Sequence, residues 1–316
     1  MTSRKTVLVA GSANLDFVVR AAHVPAPGET VLGRDFMTFP GGKGANQAIA
    51  CARAGATATR MLLALGNDAF AAPIEDSLRT AGVELDVVRA EQPTGTAFIC
   101  VSDDAENAIT VAPGANGALA AAHLPSLAET AYLLLQLETP IETVADYARA
   151  ARAADVKVAL NAAPARALPP ELLAALDILI VNEGELAAIT GVHGDIGVAL
   201  SKLAVETVVV TLGARGACAR ARDRIYLQPG FTVEAIDTTA AGDTFCGAFV
   251  AALSADLDLS EALRRSSAAA ALACTRLGAQ ASIPTHSMVD DFLQTQAPDD
   301  ATAKRELAEY CRIDAH

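Results

Sequence analysis

The sequence predicts an α/β protein: a three-layer α/β/α sandwich with a mostly parallel central sheet, plus a small β-sheet lid. Short apolar runs alternate with Ala-rich stretches of helical period along most of the 316 residues. The runs are apolar at nearly every position, as in strands covered by helices on both faces. Two stretches break the alternation and read as β-hairpins.

The first run, Val7 to Gly11, follows Met-Thr-Ser-Arg-Lys. It is too short for a signal sequence and reads as a buried strand. Further strands are expected at 59–65, 132–137, 157–161, 178–182 and 207–212. Helices are expected at 45–54, 70–81, 141–154, 183–190 and 196–202. In such sheets ligands sit beyond the carboxyl ends of the strands, where Asn14, Glu138, Asn161 and Asn182 fall. The hairpins lie in 14–40 and 94–111, the second around the polar turn Asp103-Asp104-Ala105-Glu106-Asn107. Together they suggest one inserted sheet over a cleft, a natural lid. The core then comprises 1–13, 41–93 and 112–297, and 298–316 is a tail. Its Pro298-Asp299-Asp300 start precedes a surface helix at Lys304 to Cys311, which nothing in the sequence ties to chemistry.

Composition narrows the function. Apolar residues reach 52% and aromatics 4%, with no Trp, so the core must be built from Ala, Val, Leu and Ile. A net charge of −13 excludes a broad nucleic-acid face. An anionic ligand must therefore be held by local features. The six cysteines form no C-x-x-C pair and read as free thiols in a reducing compartment. The five histidines are dispersed, so no structural zinc is expected. No apolar stretch is long enough to span a membrane, and a cytoplasmic protein is expected.

The most informative segment is Asp237-Thr-Thr-Ala-Ala-Gly-Asp243-Thr-Phe-Cys-Gly-Ala. Small residues run straight into a helical pattern of Phe245, Phe249, Ala252 and Leu253, so a helix should begin near Gly242. Unpaired N–H groups and the helix dipole favour an anion there. Asp243 places a carboxylate at the same point, which suits phosphoryl transfer to a hydroxyl with Asp243 as base. A capped strand-to-helix turn explains the same residues.

Pro40-Gly-Gly-Lys43-Gly-Ala-Asn46-Gln47 opens a second helix. It matches neither a Walker A loop nor a dinucleotide G-x-G-x-x-G. Asn14 and Asp16 follow the first strand and, by alternation, point the same way. With Asn46 and Glu138 they suit a small, neutral, hydroxyl-rich ligand. Asn182-Glu183-Gly184-Glu185 fits either a water-mediated Mg²⁺ site or an N-cap with acids in the first turn. Thr211-Leu212-Gly213-Ala214-Arg215-Gly216 fits either a nucleotide loop or a hairpin turn.

In this order, these segments resemble the ribokinase branch of the PfkB carbohydrate kinase family. The resemblance covers nearly the whole chain. It implies ATP-dependent phosphorylation of the primary hydroxyl of D-ribose, giving D-ribose 5-phosphate. By that resemblance Asp243 is the base, and Ala240, Ala241 and Gly242 supply an anion hole. Asn14, Asp16, Gly41, Gly42, Lys43, Gly44, Asn46 and Glu138 hold the sugar, together with Asp243. Asn182 and the 211–216 loop hold ATP with Gly242, Asp243 and Ser267, and Glu185 supports Mg²⁺ through water. Asp237 and Thr239 on one side, and Ala273, Arg276, Gly278 and Ser282 on the other, match a K⁺ site. A homodimer through the lid is implied. Ser267 departs from the ring or amide that the branch often carries near adenine, and the tail has no counterpart. The alternatives are another PfkB sugar or nucleoside kinase and a non-catalytic sugar or nucleotide sensor. A sugar-phosphate acceptor would call on Arg20, Arg34 or Lys43, and a base on Phe36, Phe39 or Phe98.

Overall fold

The computed structural model describes residues 6–104, 107–297 and 300–313. The expected turn residues 105–106 and the tail's start at 298–299 lie outside the described residues.

The chain opens with β1 (Thr6–Ala10), then leaves the core for β2 (Asn14–Arg20) and β3 (Asp35–Gly41). It returns through α1 (Lys43–Arg53), β4 (Thr59–Leu65), α2 (Ala71–Thr80) and β5 (Glu84–Arg89). A second excursion makes β6 (Gly95–Val101) and β7 (Asn107–Ala112). The alternation resumes with β8 (Thr130–Leu135), α3 (Ile141–Ala153), β9 (Lys157–Asn161), α4 (Pro170–Ala174) and β10 (Ile178–Asn182). Then come α5 (Glu183–Thr190), α6 (Ile196–Ser201), β11 (Thr207–Thr211), β12 (Gly216–Ala221) and β13 (Arg224–Pro229). The last helices are α7 (Ala241–Ser254), α8 (Leu259–Cys274), α9 (Ala279–Ser282), α10 (His286–Thr295) and α11 (Ala301–Cys311).

Nine strands form the central sheet in the order β13-β12-β11-β10-β9-β8-β1-β4-β5. Pairing is parallel from β11 to β5, while β12 and β13 add an antiparallel edge. Alternation along β1 shows why both faces are covered. Leu8 and Ala10 join a core with residues of α3, α5, α6 and α11, such as Val144, Leu186, Ile196 and Leu307. Val7 and Val9 join the opposite core with residues of α1, α2, α7 and α8, such as Ile49, Ile74, Phe249 and Leu263. Fully burying one such aliphatic side chain contributes about 1.5–3 kcal/mol. All six cysteines are free thiols.

Three strands escape the sequence pattern. β5, Glu-Leu-Asp-Val-Val-Arg, is a half-buried edge strand with charges at both ends. β12 is Gly-Ala-Cys-Ala-Arg-Ala, whose small residues have low strand propensity. β13 closes the far edge, opposite β5.

The two hairpins merge into one four-stranded sheet, ordered β3-β2-β6-β7. β2 runs antiparallel to β3 and parallel to β6, and Asn14 stands in register with both Gly41 and Gly95. The lid therefore joins the core along the row Gly41–Asn14–Gly95. Among the described residues no helix is long and apolar enough to cross a membrane.

Candidate active site

Asp243 is the third residue of α7, whose N-cap, Ala240, sits in the left-handed region at φ 60°. The Ala241 N–H goes to Thr238 O at 3.2 Å. Gly242 and Asp243 follow at the second and third helical positions, where N–H groups lack an intrahelical acceptor. Asp243 is only 8% exposed, and both of its oxygens are held. Asn46 Nδ2 donates to Oδ2 at 3.0 Å, and Gln47 Nε2 donates to Oδ1 at 3.0 Å. These donors reach Asp243 because α1 and α7 cross tightly. A Cβ at Gly247 would lie 2.4 Å from the Gln47 carbonyl oxygen, so glycine is required there.

Gln47 extends the net. Its Nε2 also donates to Asn161 Oδ1 at 3.0 Å, and its Oε1 accepts from Gln136 Nε2 at 2.8 Å. Asn161 ends β9 and donates to Ile180 O at 3.3 Å. The side-chain Oδ1 of Asn46 is buried with no partner among the described residues. A hydroxyl donor from a ligand would satisfy it.

The remaining sugar candidates gather at the lid row. Asn14 Oδ1 accepts from Asn116 Nδ2 at 2.8 Å, and Asn116 also exchanges hydrogen bonds with both backbone groups of Ala13. Burial, and then the charge of Glu138, push the Asp16 pKa up to about 7. Glu138 Oε2 accepts from Ser12 Oγ at 2.6 Å and from Lys43 N at 3.1 Å. Gly42 has φ 89°, and a Cβ there would lie 2.8 Å from Ala13 Cα, so the turn into α1 needs glycine. Gly41 ends β3, and Gly44 lies in the first turn of α1. The Asp243 carboxylate, with help from Glu138 and Glu185, holds the Lys43 ammonium above the usual lysine range despite burial. Lys43 thus stays charged at the meeting point of three acids.

At the start of α5, Asn182 and Glu185 form a reciprocal cap. Glu185 N donates to Asn182 Oδ1 at 2.8 Å, and Asn182 N donates to Glu185 Oε2 at 2.8 Å. Asn182 Nδ2 donates to Glu185 Oε1 at 3.0 Å. Burial foremost raises the Glu185 pKa. Thr211, directly opposite Asn182 in the sheet, leads through buried Leu212 into the single turn Gly213–Arg215 and then Gly216. The segment is a hairpin connection between β11 and β12, so its turn geometry is compatible with both sequence readings. Ser267 lies buried in α8, and its hydroxyl has no hydrogen-bond partner among the described residues.

The two halves of the expected cation site are neighbours. Asp237 Oδ1 accepts from Thr239 N at 2.9 Å, and Oδ2 accepts from Gly278 N at 2.9 Å. Burial raises the Asp237 pKa, but these donors outweigh it and the net shift is downward. Ala273 O accepts from Arg276 N at 3.4 Å, and Ser282 Oγ donates to Ala279 O at 3.0 Å. No group of three or more His, Cys, Asp or Glu capable of holding a metal occurs among the described residues.

Five residues in these networks were not site candidates from sequence: Ser12, Gln47, Asn116, Gln136 and Asn161. The last was noted only for its strand-end position. The signal available for the others was adjacency, since Ser12, Gln47 and Gln136 flank Asn14, Asn46 and Glu138 within the same short motifs. The tail also comes closer to the cleft than its sequence suggested. Tyr310 Oη donates to Glu183 Oε1 at 2.7 Å, and the Arg215 guanidinium lies 4.3 Å from the Tyr310 ring centroid.

A buried carboxylate at a helix start, beside a charged lysine, suits phosphoryl transfer to a small molecule. Comparison with known proteins agrees. Residues 4–286 match the pfkB family carbohydrate kinases. A ribokinase of Haemophilus influenzae is 40% identical over 304 residues, covering 92% of this chain and 99% of its own. The crystal structure of a Thermotoga maritima ribokinase superposes with a TM-score of 0.87 at 37% identity, covering 92% of this chain and 99% of its own. An Arabidopsis thaliana ribokinase, solved with ribose and ATP, gives a TM-score of 0.85 at 32% identity with the same coverage. The chain belongs to the pfkB family of carbohydrate kinases, and it is an ATP-dependent sugar kinase.

Proposed function

We propose that this kinase phosphorylates the primary hydroxyl of D-ribose to give D-ribose 5-phosphate. The carrying observation is Asp243, held at both oxygens by Asn46 and Gln47 at the start of α7. The similarity to ribokinases, one of them solved with ribose and ATP, supports the choice of sugar. In the proposed step Asp243 accepts the hydroxyl proton as the sugar oxygen forms a bond to the γ-phosphorus. The bond from that phosphorus to the bridging oxygen breaks, and ADP leaves. The transition state is loose, so positioning and charge stabilisation contribute most. Lys43, the N–H groups of Gly242 and Asp243, and the α7 dipole would stabilise the phosphoryl oxygens. Asn14, Asp16, Asn46 and Glu138 would orient the sugar, and the 211–216 loop, Asn182 and Ser267 the nucleotide.

Magnesium suits a hard carboxylate donor such as Glu185, which is buried at the start of α5. Bound Mg²⁺ would supply neutralising charge at the phosphates, with Glu185 holding it through water. Potassium fits the neighbouring segments of Asp237, Thr239, Ala273, Arg276, Gly278 and Ser282, where it would steady the backbone leading into α7. Exposed apolar residues stand on both faces of the small sheet, Phe36 and Phe98 on one and Met37, Ile109 and Val111 on the other, and support a homodimer through that sheet.

A nucleoside acceptor is less well served. Phe36, Phe98 and Phe70 cluster with Phe17, whose face of β2 is opposite that of Asp16, which leaves only Phe39 of the three candidates on Asp16's face. A sugar phosphate is also poorly served, since Arg34 pairs with Asp103 across the lid. The test is ATP turnover on D-ribose, 2-deoxyribose, fructose, fructose 6-phosphate and adenosine, each with K⁺ or Na⁺. Turnover confined to ribose and deoxyribose, and raised by K⁺, is expected. Preferred turnover of another acceptor would keep the chemistry and replace the substrate.

A further inference from the structure

The C-terminal helix α11 lies beyond residue 286, where the family match ends. It is nevertheless built into the molecule. Leu307, Ala308 and Cys311 are buried, and Leu307 and Cys311 belong to the same core cluster as Leu212 and Leu186. Leu212 is the residue just before the Gly213–Arg215 turn, and Leu186 lies in α5. The helix packs on β13, and through Tyr310 it reaches the two segments that flank the proposed nucleotide site.

We infer that α11 positions the nucleotide loop, with Tyr310 holding Arg215 ready for a phosphate and keeping Glu183 away from it. The inference rests on reading Thr211–Gly216 as that loop. Asn182 and Thr211 stand directly opposite each other in the sheet. Just beyond them the two segments carry opposite charges, Glu183 at the first position of α5 and Arg215 at the end of the single turn. Tyr310 contacts both. Its hydroxyl donates to Glu183 Oε1 at 2.7 Å, while its ring lies beneath the Arg215 guanidinium, 4.3 Å from the centroid. No ion pair involving Arg215 is present among the described residues.

The geometry has a chemical consequence. A guanidinium stacked on a ring uses its face, which leaves its in-plane N–H groups free to grip an anion. An ion pair with Glu183 would consume those same N–H groups. The Tyr310 hydroxyl occupies the Glu183 carboxylate, and its ring fixes the arginine before ligand arrives. Without Tyr310, Arg215 is free to collapse onto Glu183 and compete with phosphate binding.

The test uses the full chain with point substitutions and steady-state kinetics, varying ATP and sugar separately. Tyr310→Ala is expected to raise KM for ATP about two- to fivefold, the range for losing an exposed cation–π contact, with no change in KM for the sugar. Tyr310→Phe keeps the ring and should recover part of that loss. Adding Glu183→Gln to Tyr310→Ala should restore ATP affinity, because the competing charge is gone. In an Arg215→Ala background Tyr310→Ala should have no further effect on KM for ATP. A Tyr310→Ala effect that persists in that background, or that Glu183→Gln does not relieve, would make α11 a purely structural brace and overturn the inference. An unchanged KM for ATP in Tyr310→Ala, with a raised one in Arg215→Ala, would overturn it while leaving the loop assignment in place. An unchanged KM for ATP in Arg215→Ala removes Arg215 from the nucleotide site, and the inference falls with it.

Discussion

On the proposed acceptor side, Asn46, Gln47, Gln136, Asn161 and Asp243 form one buried hydrogen-bonded net drawn from four segments of the chain. On the proposed nucleotide side, Gly213, Ala214 and Arg215 are exposed, and a ring from α11 supports the arginine. The first arrangement stores precision in the core, where each polar atom is costly to strand. The second leaves the loop to backbone geometry and surface contacts, which adapt cheaply. Base placement should therefore fail steeply when one partner is removed, and nucleotide binding should fail by degrees.

The sharpest challenge to that contrast is Asp243→Asn. Turnover should drop about 10²- to 10⁴-fold with the fold retained, as loss of a general base usually does. Near-normal kcat would remove Asp243 from that role. Gln47→Leu comes next. It strands Asp243 Oδ1, Asn161 Oδ1 and Gln136 Nε2, so thermal unfolding should show a loss of about 1–3 kcal/mol or more. Misplacing the base should also cut kcat about 10- to 100-fold. A stable variant with unchanged kcat would show that the net is packing alone. Asn46→Ala should raise KM for the sugar about tenfold, the equivalent of one good hydrogen bond. An unchanged value would place Asn46 outside the sugar site.

The smallest expected effect concerns pH. The Asp16 pKa is pushed up from its ordinary 3.8 to about 7 in the folded chain, because burial first and Glu138 second disfavour its charge. A raised carboxyl pKa contributes stability that is fully present below 3.8 and lost as pH rises toward 7. Denaturant titrations at several pH values should therefore show Asp16→Asn losing less stability than the parent across that window. Sugar KM in the parent should improve a few-fold as pH passes through 7, where Asp16 becomes an ionised acceptor. A flat parent profile would sever Asp16 from the sugar.

Strands β4, β9 and β10 were legible to the residue because they are continuous apolar runs buried on both faces. β5, β12 and β13 were not, since an edge strand needs only partial burial and leaves a weak periodic trace. The same asymmetry divides the site. Asn14, Lys43, Asn46, Glu138 and Asp243 stand out as polar groups in small-residue motifs at element ends. The partners that orient them were hidden. Asn116 is 102 residues from Asn14, and Gln47 is 196 from Asp243, so only the folded register brings them together. The tail was opaque for a related reason: nothing in its own sequence reveals that Tyr310 lands beside Arg215.

The row Gly41–Asn14–Gly95 is where the lid meets the core. Were that sheet to swing, this row would be its fulcrum. A lever moves least at its pivot, so Asn14 would keep its place while Phe36 and Val101 toward the far ends would sweep the longest arc. A ligand gripped there would not be dragged as the sheet comes down. The molecule would be able to hold its acceptor still through opening and closing, and each stroke would begin from the same grip.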